Sequence, residues 1–499
     1  MKTTRAWQER LSRALALVVL TLAATPATHA QRVLTLQDAL AIAMQKSPDI
    51  QRSQLNLQRS SESLNAQKAA LKSQFSLSIT PVDYRNERVF NSFFSRWNTN
   101  ETKSWSGTFT ISQPIRWTDG TLALINRFGW QDVYSEFQNT RSKTFSNNLY
   151  LSLQQPVFTY NRTEIALRRL ELDLEDAALS YAIRKLALER SVAQAFFDVY
   201  KNKMSLEIAR EELSNQEQSY QIIKNKVDAG LSALEELYQA ELNLSTSKSN
   251  VQNKQVVLDN SLDAFKQLIG MSLFEEIAVQ ADITHQPVQV DLQLALDHGL
   301  KWRMELRQAR IDIETSQFDL IQASATNEFR GDVTVSYGVI GTDERFANIY
   351  EVPTKNQRLS LSLEIPLWDW GEKQSRIKSA EAVVKTRELS LEEERTNIII
   401  AIRQVYRNLQ NLEQQIEIAR QNVRNAQLTY DINLERYKNG DLTSMDLQLY
   451  QNQLSQKKLA LVDALINYKI ELLNMKIQSL WDFEKNESVV PQELLRSRS

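Results

Sequence analysis

The sequence repeats one long pattern twice, and this internal duplication constrains the fold more than any other feature. Residues 151–156 read Leu-Ser-Leu-Gln-Gln-Pro, and residues 361–366, which lie 210 positions later, read Leu-Ser-Leu-Glu-Ile-Pro. The same offset relates a second set of residues: Tyr220, Gly230, Glu236 and Leu237 in the first copy, and Tyr430, Gly440, Asp446 and Leu447 in the second. Solenoid repeats have periods of about 20–50 residues, so an offset of this size indicates a duplicated half-molecule.

Each copy contains a long stretch without proline and with a glycine near its centre. These stretches are residues 157–286 and 367–490, and their central glycines are Gly230 and Gly440. Because proline and glycine disfavour helices most strongly, each stretch predicts two helices joined at its glycine. The predicted arms are 161–229 with 234–268, and 372–439 with 444–480. The longest arm would measure about 105 Å, and the arms are too rich in charged residues to lie in lipid.

The apolar residues of the first arm follow more than one face of the predicted helix. Leu167, Leu170 and Leu174 share one face, and Leu172 and Leu179 share another. A single stripe is typical of a two-stranded coiled coil. Two stripes favour a helix with neighbours on both sides, as in a closed ring of helices, and an ordinary bundle with extra surface leucines is the alternative interpretation.

Ahead of each long hairpin, the apolar pattern changes to strict alternation. The alternating positions are Phe75, Leu77 and Ile79; Phe109 and Ile111; Leu149, Leu151 and Leu153; Val333, Val335, Tyr337 and Val339; and Leu359, Leu361, Leu363 and Ile365. Aromatic residues crowd the same regions: Phe90, Phe93, Phe94, Trp97, Trp105, Trp117, Trp130, Phe158, Trp368 and Trp370. Alternation with aromatic borders is typical of a transmembrane β-barrel with a wet lumen. A soluble sandwich of half-buried strands is the alternative.

The two copies also resemble each other at their starts, but there the offset between matching residues differs from 210. Residues 36–40 match residues 292–296, and Leu64 matches Leu320, at an offset of 256. The first copy therefore has 46 extra residues before its long hairpin. Surface loops and added strands are the two alternative explanations of this excess. Four strands, or even six, are too few for a bacterial barrel, and an open sheet edge is not tolerated in lipid. We therefore expect oligomers, two copies giving eight strands and three giving twelve.

The N-terminus indicates export from the cytoplasm. Four basic residues precede an apolar run at 14–22, and small residues follow up to Ala30. This pattern predicts a secretory signal peptide at residues 1–30. A membrane anchor is the alternative, although the apolar run is too short to span a bilayer comfortably.

The composition excludes several classes of function. Without residues 1–30 the chain has 55 basic and 60 acidic residues, which is not the charge balance of a nucleic-acid-binding protein. It contains no cysteine, and His285 and His298 are isolated in the sequence. The sequence contains no recognisable nucleophile–base pair, phosphate loop or metal cluster. We therefore predict that the protein is not an enzyme and that it binds no cofactor or metal.

The whole pattern resembles the outer-membrane factor (TolC-like) family of efflux and secretion channels. The resemblance covers nearly all of the chain after residue 30 and is carried by the opening helices, 34–40 and 47–50, and by the tips, 226–237 and 436–447. It implies a mostly α fold with a transmembrane β-barrel. Duplicated long helical hairpins of three chains would form a periplasmic α-barrel, and each protomer would contribute about four strands, or more, to an outer-membrane barrel. The family barrel has twelve strands.

The same resemblance implies a function and a set of partners. The protein would be the passive exit duct of a tripartite efflux pump or a type I secretion system, located in the outer membrane with a large periplasmic portion. It would form a homotrimer in contact with outer-membrane lipid and with a periplasmic adaptor (membrane fusion) protein. An inner-membrane transporter of the RND, ABC or MFS type would deliver the cargo, and no nucleic acid is involved. The alternative is a periplasmic coiled-coil adaptor or scaffold without a barrel.

The resemblance also assigns residues at the tips. Tyr437 matches a tyrosine that bonds a neighbouring acidic residue in the closed periplasmic gate, and Glu236 matches that acidic position. Asp446 matches the first of two acidic residues that constrict the pore. Leu442 and Leu449 fall where the best-known member has an arginine and the second aspartate. The family's ionic tie and its double acidic ring are therefore not expected here.

Some of these assignments have a purely structural alternative. Three Asp446 carboxylates around a three-fold axis would form a cation-selective ring. Thr443 and Asp446 also form a capping box at a helix start. Gly230 and Gly440 suit helix ends that need positive φ, and the exposed surface around them is the expected adaptor-docking region.

Together these patterns divide the chain into five segments. The segments are a signal peptide at 1–30; a first repeat at 31–270 with strands about 75–157 and a tip near 230; a linker at 271–290; a second repeat at 291–482 with strands about 332–366 and a tip near 440; and a C-terminal tail at 483–499.

Overall fold

The computed structural model describes residues 32–491, so the predicted signal peptide at 1–30 lies outside the described residues. This part of the chain contains eight α-helices with these bounds: α1 Leu36–Lys46, α2 Pro48–Ala70, α3 Arg162–Asp228, α4 Leu234–Ile269, α5 Leu292–Trp302, α6 Met304–Ser324, α7 Glu372–Asn439 and α8 Ser444–Ser479. The two long hairpins predicted from the proline and glycine positions are confirmed. Each of their arms begins and ends within one residue of its predicted position.

The helices of the two halves have nearly equal lengths. Helices α1 and α5 have 11 residues each, and α4 and α8 have 36 each. The long arms α3 and α7 have 67 and 68 residues. Local sequence sets several of the helix starts. At α1, for example, the Thr35 hydroxyl accepts from the Asp38 amide at 3.2 Å, and the Asp38 carboxylate accepts from the Thr35 amide at 3.1 Å, which is a capping box.

The described residues also contain ten β-strands. Their bounds are β1 Arg32–Leu34, β2 Gln74–Asn91, β3 Arg96–Ile115, β4 Gly120–Ser135, β5 Thr140–Val157, β6 Ile277–Val279, β7 Arg330–Asp343, β8 Thr354–Glu364, β9 Trp481–Asp482 and β10 Glu487–Ser488. Strands β1 and β6 form a parallel pair, and β9 and β10 form an antiparallel pair. The other six form one antiparallel sheet in the order β2-β3-β4-β5-β7-β8.

The excess residues of the first half form an added hairpin within this sheet. Strand β2 begins 256 residues before β7, and β5 contains the motif that recurs in β8 after 210 residues. Strands β3 and β4 therefore have no counterpart in the second half. Of the two explanations of the excess, added strands are what the structure shows, and the sheet of the single chain has six strands, in agreement with the expectation of about four strands or more.

The six-stranded sheet has one apolar and one polar face. Directly opposed residues form an apolar row across five strands: Phe75, Ile111, Leu124, Leu151 and Tyr337. The neighbouring row crosses all six strands on the other face: Gln74, Ser112, Ala123, Ser152, Ser336 and Arg358. Adjacent residues of a strand point to opposite faces, so the predicted alternation is confirmed in three dimensions.

Aromatic residues border the apolar band at one end of the sheet. Trp105 lies opposite Trp130, and Trp130 lies opposite Phe145. Two residues further along the same face, Lys103 lies opposite Asp132. On β4 the band runs from position 122 to position 130, about 26 Å along the strand at about 3.3 Å per residue. This is close to the height of the apolar band of outer-membrane barrels, about 25 Å.

The described residues divide into two compact units. One contains the described part of residues 1–51 together with 185–289 and 405–474, and it includes both hairpin tips. The other contains 52–184, 290–404 and the described part of 475–499, and it includes the six-stranded sheet. No helix within residues 32–491 combines the length and the apolar character needed to cross a membrane.

Candidate functional site

Both long hairpins end their first arm in the same way. Gly230 has φ +75° and Gly440 has φ +91°, and a Cβ atom built on either glycine meets no neighbour. After α3, the Gly230 amide donates to the Val227 carbonyl at 2.9 Å and the Leu231 amide donates to the Lys226 carbonyl at 2.7 Å. These two bonds form a Schellman motif, which requires a left-handed residue at the helix end. The glycines therefore fix where each hairpin turns.

The Gly440 turn repeats the geometry with different partners. The Gly440 amide donates to the Tyr437 carbonyl at 3.1 Å, and the Asp441 amide donates to the Arg436 carbonyl at 2.9 Å. Tyr437 thus lies in the last turn of α7, at the point where the chain reverses. Its position is set by the backbone of the turn as well as by its own packing.

The second arms of the hairpins begin differently. At α8, the Thr443 hydroxyl donates to the Asp446 carboxylate at 2.7 Å and accepts from the Asp446 amide at 3.2 Å. This is the capping interaction that the sequence indicated, and the Asp446 side chain is exposed. At α4, the N-cap residue is Ala233, which makes no side-chain cap. There the Ser232 hydroxyl donates to the Glu236 carboxylate at 2.5 Å.

Tyr437 is a fully buried member of an apolar cluster that contains residues of both hairpins. Its side chain is 1% exposed and packs with Ile223, Tyr430 and Leu447. The hydroxyl group donates to the Ser219 carbonyl of α3 at 3.5 Å, which is a long hydrogen bond. Burial raises the pKa of Tyr437 well above the ordinary tyrosine value, and the nearby negative charge of Glu236 adds to this effect. The phenol is therefore neutral at physiological pH.

Lys226 makes two contacts with Tyr437 from the opposite hairpin. Its ammonium nitrogen donates to the Tyr437 carbonyl at 2.9 Å and lies 5.3 Å from the centroid of the Tyr437 ring. The carbonyl belongs to the last turn of α7, where the negative end of the helix dipole favours a cation. One side chain thus connects the end of α3 to the end of α7. The sequence alone did not indicate these contacts of Lys226, because the residue it contacts lies 211 positions away in the chain.

Leu442 and Leu449 stand where the best-known family member has an arginine and an aspartate, and the two leucines differ in burial. Leu442 is partly buried against the cluster around Tyr437, whereas Leu449 is 54% exposed. Glu236 is partly buried and bonded to Ser232 within its own turn. Within one protomer, Tyr437 and Glu236 are therefore bonded to different groups. Around Tyr437, the contacts between the two hairpins are apolar packing, the Tyr437 ring and the Lys226 ammonium group.

A buried amide pair forms a second link between the hairpins. Gln216 of α3 donates to the Gln451 side chain of α8 at 3.1 Å, and the Gln451 amide group donates to the Glu212 carbonyl at 3.0 Å. Gln216 and Gln451 are 5% and 2% exposed. Burial of polar groups is costly unless they are hydrogen-bonded, so this pair favours one alignment of the two hairpins. Nothing in the linear sequence distinguishes these two glutamines from the many others.

Both isolated histidines contact other side chains or backbone groups of the fold. The His285 ring contacts the Tyr468 ring, with centroids 4.8 Å apart. His298 bonds through Nδ1 to the Ser479 carbonyl at 2.8 Å. Within residues 32–491, no group of three or more His, Asp or Glu side chains could hold a metal ion.

Fold and site together define a class of protein. An antiparallel sheet with an apolar, aromatic-bordered face belongs in a lipid bilayer, whereas long charged helices with several packed faces belong in water. A chain that contains both, with helical hairpins tied together at their tips, has the architecture of an outer-membrane duct with a helical extension in the periplasm.

Comparison with known proteins gives the family. The sequence model of a family described as "Outer membrane efflux protein" matches residues 121–271 and 300–476, which together are well over half of the chain. The chain therefore belongs to the outer membrane efflux protein family.

Individual relatives agree with this assignment. The chain is 23% identical over 370 residues to Outer membrane protein TolC of Escherichia coli K12, covering 71% of this chain and 73% of TolC. It is also 23% identical over 370 residues to Nodulation protein T of Rhizobium leguminosarum bv. trifolii, covering 71% and 75% of the two chains. The fold matches the crystal structure of the Campylobacter jejuni CmeC outer membrane channel with a TM-score of 0.69 at 13% identity, covering 93% of this chain and 88% of CmeC.

Family membership establishes what the protein is. It is an outer-membrane export channel, the exit duct of a tripartite efflux system, with a periplasmic α-barrel and an outer-membrane β-barrel. It is a homotrimer whose partners are a periplasmic adaptor protein and an inner-membrane transporter. The alternative, a periplasmic scaffold without a barrel, has no support from these comparisons.

Proposed function

We propose that the hairpin tips form the periplasmic gate of this channel and that Tyr437 and Lys226 hold the gate shut within each protomer. The observation that carries the proposal is the double contact of Lys226 with the carbonyl and the ring of Tyr437. These two residues belong to different hairpins, so the tips cannot separate without breaking both contacts. Cargo delivered by the inner-membrane transporter would pass only when they break.

Glu236 and Asp446 have complementary parts in this proposal. Glu236 is close enough to affect the pKa of Tyr437, which supports a place beside the gate tyrosine. Asp446 is exposed at the first turn of α8, where three copies would surround the entrance with carboxylates. A carboxylate accepts at both oxygens, so capping by Thr443 through Oδ2 is compatible with cation contact through Oδ1.

The surface around Gly230 and Gly440 is proposed to receive the adaptor. Large apolar side chains near the two turns are more than half exposed: Leu231, Leu234, Tyr238, Met445 and Leu449. Exposed apolar groups of this kind, set among polar residues, are typical of protein interaction sites. The sharp turns present them at the very ends of the hairpins.

The paired helix lengths support the proposed division of the chain. We propose that residues 31–270 and 291–482 are two structural repeats joined by the linker 271–290, that 1–30 is a removable signal peptide, and that 483–499 is a tail. The protein is proposed to have no catalytic activity of its own, because the family consists of passive channels. Cargo choice then lies with the transporter.

Single-channel recording in planar bilayers tests the gate. Tyr437→Ala removes the ring and the volume that Lys226 and the tip cluster contact, so we expect a large rise in the open fraction and in mean conductance. Tyr430→Ala is the matched control, since Tyr430 is also buried in the same cluster and its truncation creates a similar cavity. The loss of stability for such a truncation of a large aromatic residue is about 3–5 kcal/mol. The proposal fails if Tyr437→Ala remains as closed as the unmodified channel, or if both variants open equally.

A further inference from the structure

The two outer strands of the six-stranded sheet each have one edge without a partner among the described residues. Strand β2 pairs with β3, and β8 pairs with β7. On the apolar face, Phe75, Leu77 and Ile79 of β2 are 61–68% exposed in the single chain. An unpaired strand edge is not tolerated in the hydrocarbon of a membrane, where its amide and carbonyl groups find no water. A second copy of this chain must therefore cover each edge.

The added hairpin is built as part of the membrane wall. Strands β3 and β4 lie between β2 and β5 and are paired along almost their whole lengths. Their residues Ile111 and Leu124 continue the apolar row that begins at Phe75 and ends at Tyr337. A hairpin folded into the lumen or above the membrane would not need an apolar face at the same depth as its neighbours. All six strands of each chain therefore belong to the barrel.

The internal duplication predicts how β8 of one copy meets β2 of the next. Strand β5 corresponds to β8 at an offset of 210, and β2 corresponds to β7 at an offset of 256. Within the chain, β5 pairs with β7, with Leu153 opposite Val335 and Gln155 opposite Val333. Transferring these pairs by the two offsets places Leu363 opposite Ile79 and Ile365 opposite Leu77. The transfer uses only the two offsets in residue number, yet it places apolar residues opposite apolar residues.

The intervening positions of the transferred register are polar. Gln154 lies opposite Thr334 and Ser152 lies opposite Ser336 within the chain. Their counterparts at the seam are Glu364 opposite Ser78 and Ser362 opposite Thr80. The polar face therefore continues around the seam as well. The register also extends β8 beyond its last residue in the single chain, Glu364, because residues 365–367 gain backbone partners.

We propose that three copies close an eighteen-stranded barrel, in which β8 of each copy pairs antiparallel with β2 of the next in this register. Six strands alternate in direction, so the two edge strands run oppositely and closure is antiparallel. Barrel diameter grows roughly in proportion to strand number. The outer-membrane pore is then about 1.5-fold wider than that of a twelve-stranded barrel, in the range of 16- to 18-stranded porins with open aqueous channels. The outer-membrane end would admit bulky cargo, and the constriction would lie at the tips.

Engineered disulfides test the seam, because the chain contains no cysteine of its own. Thr80→Cys with Ser362→Cys places the two thiols at a predicted antiparallel pair, with Cα atoms about 4.5–5.5 Å apart, within disulfide range. Oxidation of the purified trimer should give covalent trimers on non-reducing gels, since every chain carries one cysteine at each seam. The control, Ser76→Cys with Ser362→Cys, is four residues out of register, about 13 Å, and should remain monomeric on the gel.

Three results of this experiment overturn the proposal. The first is the absence of covalent oligomers from the matched pair, and the second is equal crosslinking by the control pair. The third is a disulfide that forms within one chain, because it means that β2 and β8 of the same copy meet and no second copy enters the seam. None of these results bears on the gate, since the seam lies in the sheet and the gate lies at the hairpin tips.

Lipid accessibility tests the strand number independently. Leu124→Cys and Ala123→Cys place a fluorescent label on adjacent residues of β4 that face opposite sides of the sheet. In bilayers of nitroxide-labelled phosphatidylcholine, we expect the label at 124 to be quenched several-fold more than the label at 123. Equal quenching, or protection of both labels, means that the added hairpin is not part of the wall and refutes eighteen strands.

Discussion

Replacing Lys226 by methionine isolates the contribution of its ammonium group to the contacts between the two hairpins. Methionine keeps most of the length and apolar character of the side chain but loses the ammonium group. The substitution therefore removes the 2.9 Å hydrogen bond to the Tyr437 carbonyl and the contact with its ring at 5.3 Å. The apolar cluster around Tyr437 remains in place, so the protein is expected to fold and to assemble.

The magnitude of the effect follows from the two contacts. A hydrogen bond from a charged group contributes about 1.5–3 kcal/mol, and a partly exposed cation–π contact contributes about 0.5–1 kcal/mol. Lys226 is partly exposed, so solvent screening reduces both. A net loss of about 2 kcal/mol per protomer shifts the ratio of open to closed tips by about thirtyfold, because about 1.4 kcal/mol corresponds to a factor of ten.

Planar-bilayer recording measures this ratio as the open fraction of single channels. Lys224→Met is the matched control, because Lys224 lies on the same helix two positions away and its side chain is exposed. It removes one positive charge from the chain and leaves the contacts between Lys226 and Tyr437 unchanged. If Lys226→Met leaves the open fraction at the level of the control, the cation does not hold the tips together, and only apolar packing does.

The same structural account makes three further predictions. Gln451→Leu leaves Gln216 buried without its amide partner, so we expect a loss of about 1–3 kcal/mol of stability by thermal unfolding of the trimer; the double leucine variant should recover much of it, and no recovery contradicts the pairing. Asp446→Asn should lower the cation preference of the channel in salt-gradient bilayer recordings, whereas unchanged selectivity leaves Asp446 only its capping role. Gly440→Ala forces alanine into positive φ at a cost of about 1–2 kcal/mol, so hydrogen exchange of the tip amides should accelerate about five- to thirtyfold, while Gly107→Ala, where a Cβ meets open space, should leave it unchanged.

Much of the helical part could be predicted because it is specified locally. The absence of proline from the long stretches permits the long helices, and the positive φ values of Gly230 and Gly440 explain why glycine stands at both turns. The Thr443–Asp446 cap was also visible, since a capping box needs only two residues at a fixed spacing. Each of these features depends on neighbours a few positions apart.

The strand number was not fixed by the sequence, because the alternating signal is weak in single strands. On β4, Asn126 shares the outer face with Leu124, and Ile125 faces the polar side. The alternation there is too irregular to separate an added hairpin from a surface loop. Pairing with β3 and β5 places these residues, and such pairing is a property of the folded sheet.

The contacts that tie the hairpins together were also missed. Lys226 and Tyr437 are 211 residues apart, and Gln216 and Gln451 are 235 apart. Lysine and glutamine are common throughout these helices, so their type and spacing carry no signal. Their roles arise when two helices pack in one register, which a single sequence does not reveal.

The most direct test of the gate is to prevent the hairpins from separating. In the double variant Glu211→Cys/Lys458→Cys, a reducible bis-maleimide bridges two accessible positions, one on each hairpin, whose native side chains are 2.8 Å apart, in a chain with no other cysteine. When Lys226→Met is added, the unbridged channel should show a high open fraction. Bridging should return it to the closed level, and reduction of the linker should open it again. A bridged channel that opens as often as the unbridged one would contradict the claim that opening separates the two hairpins.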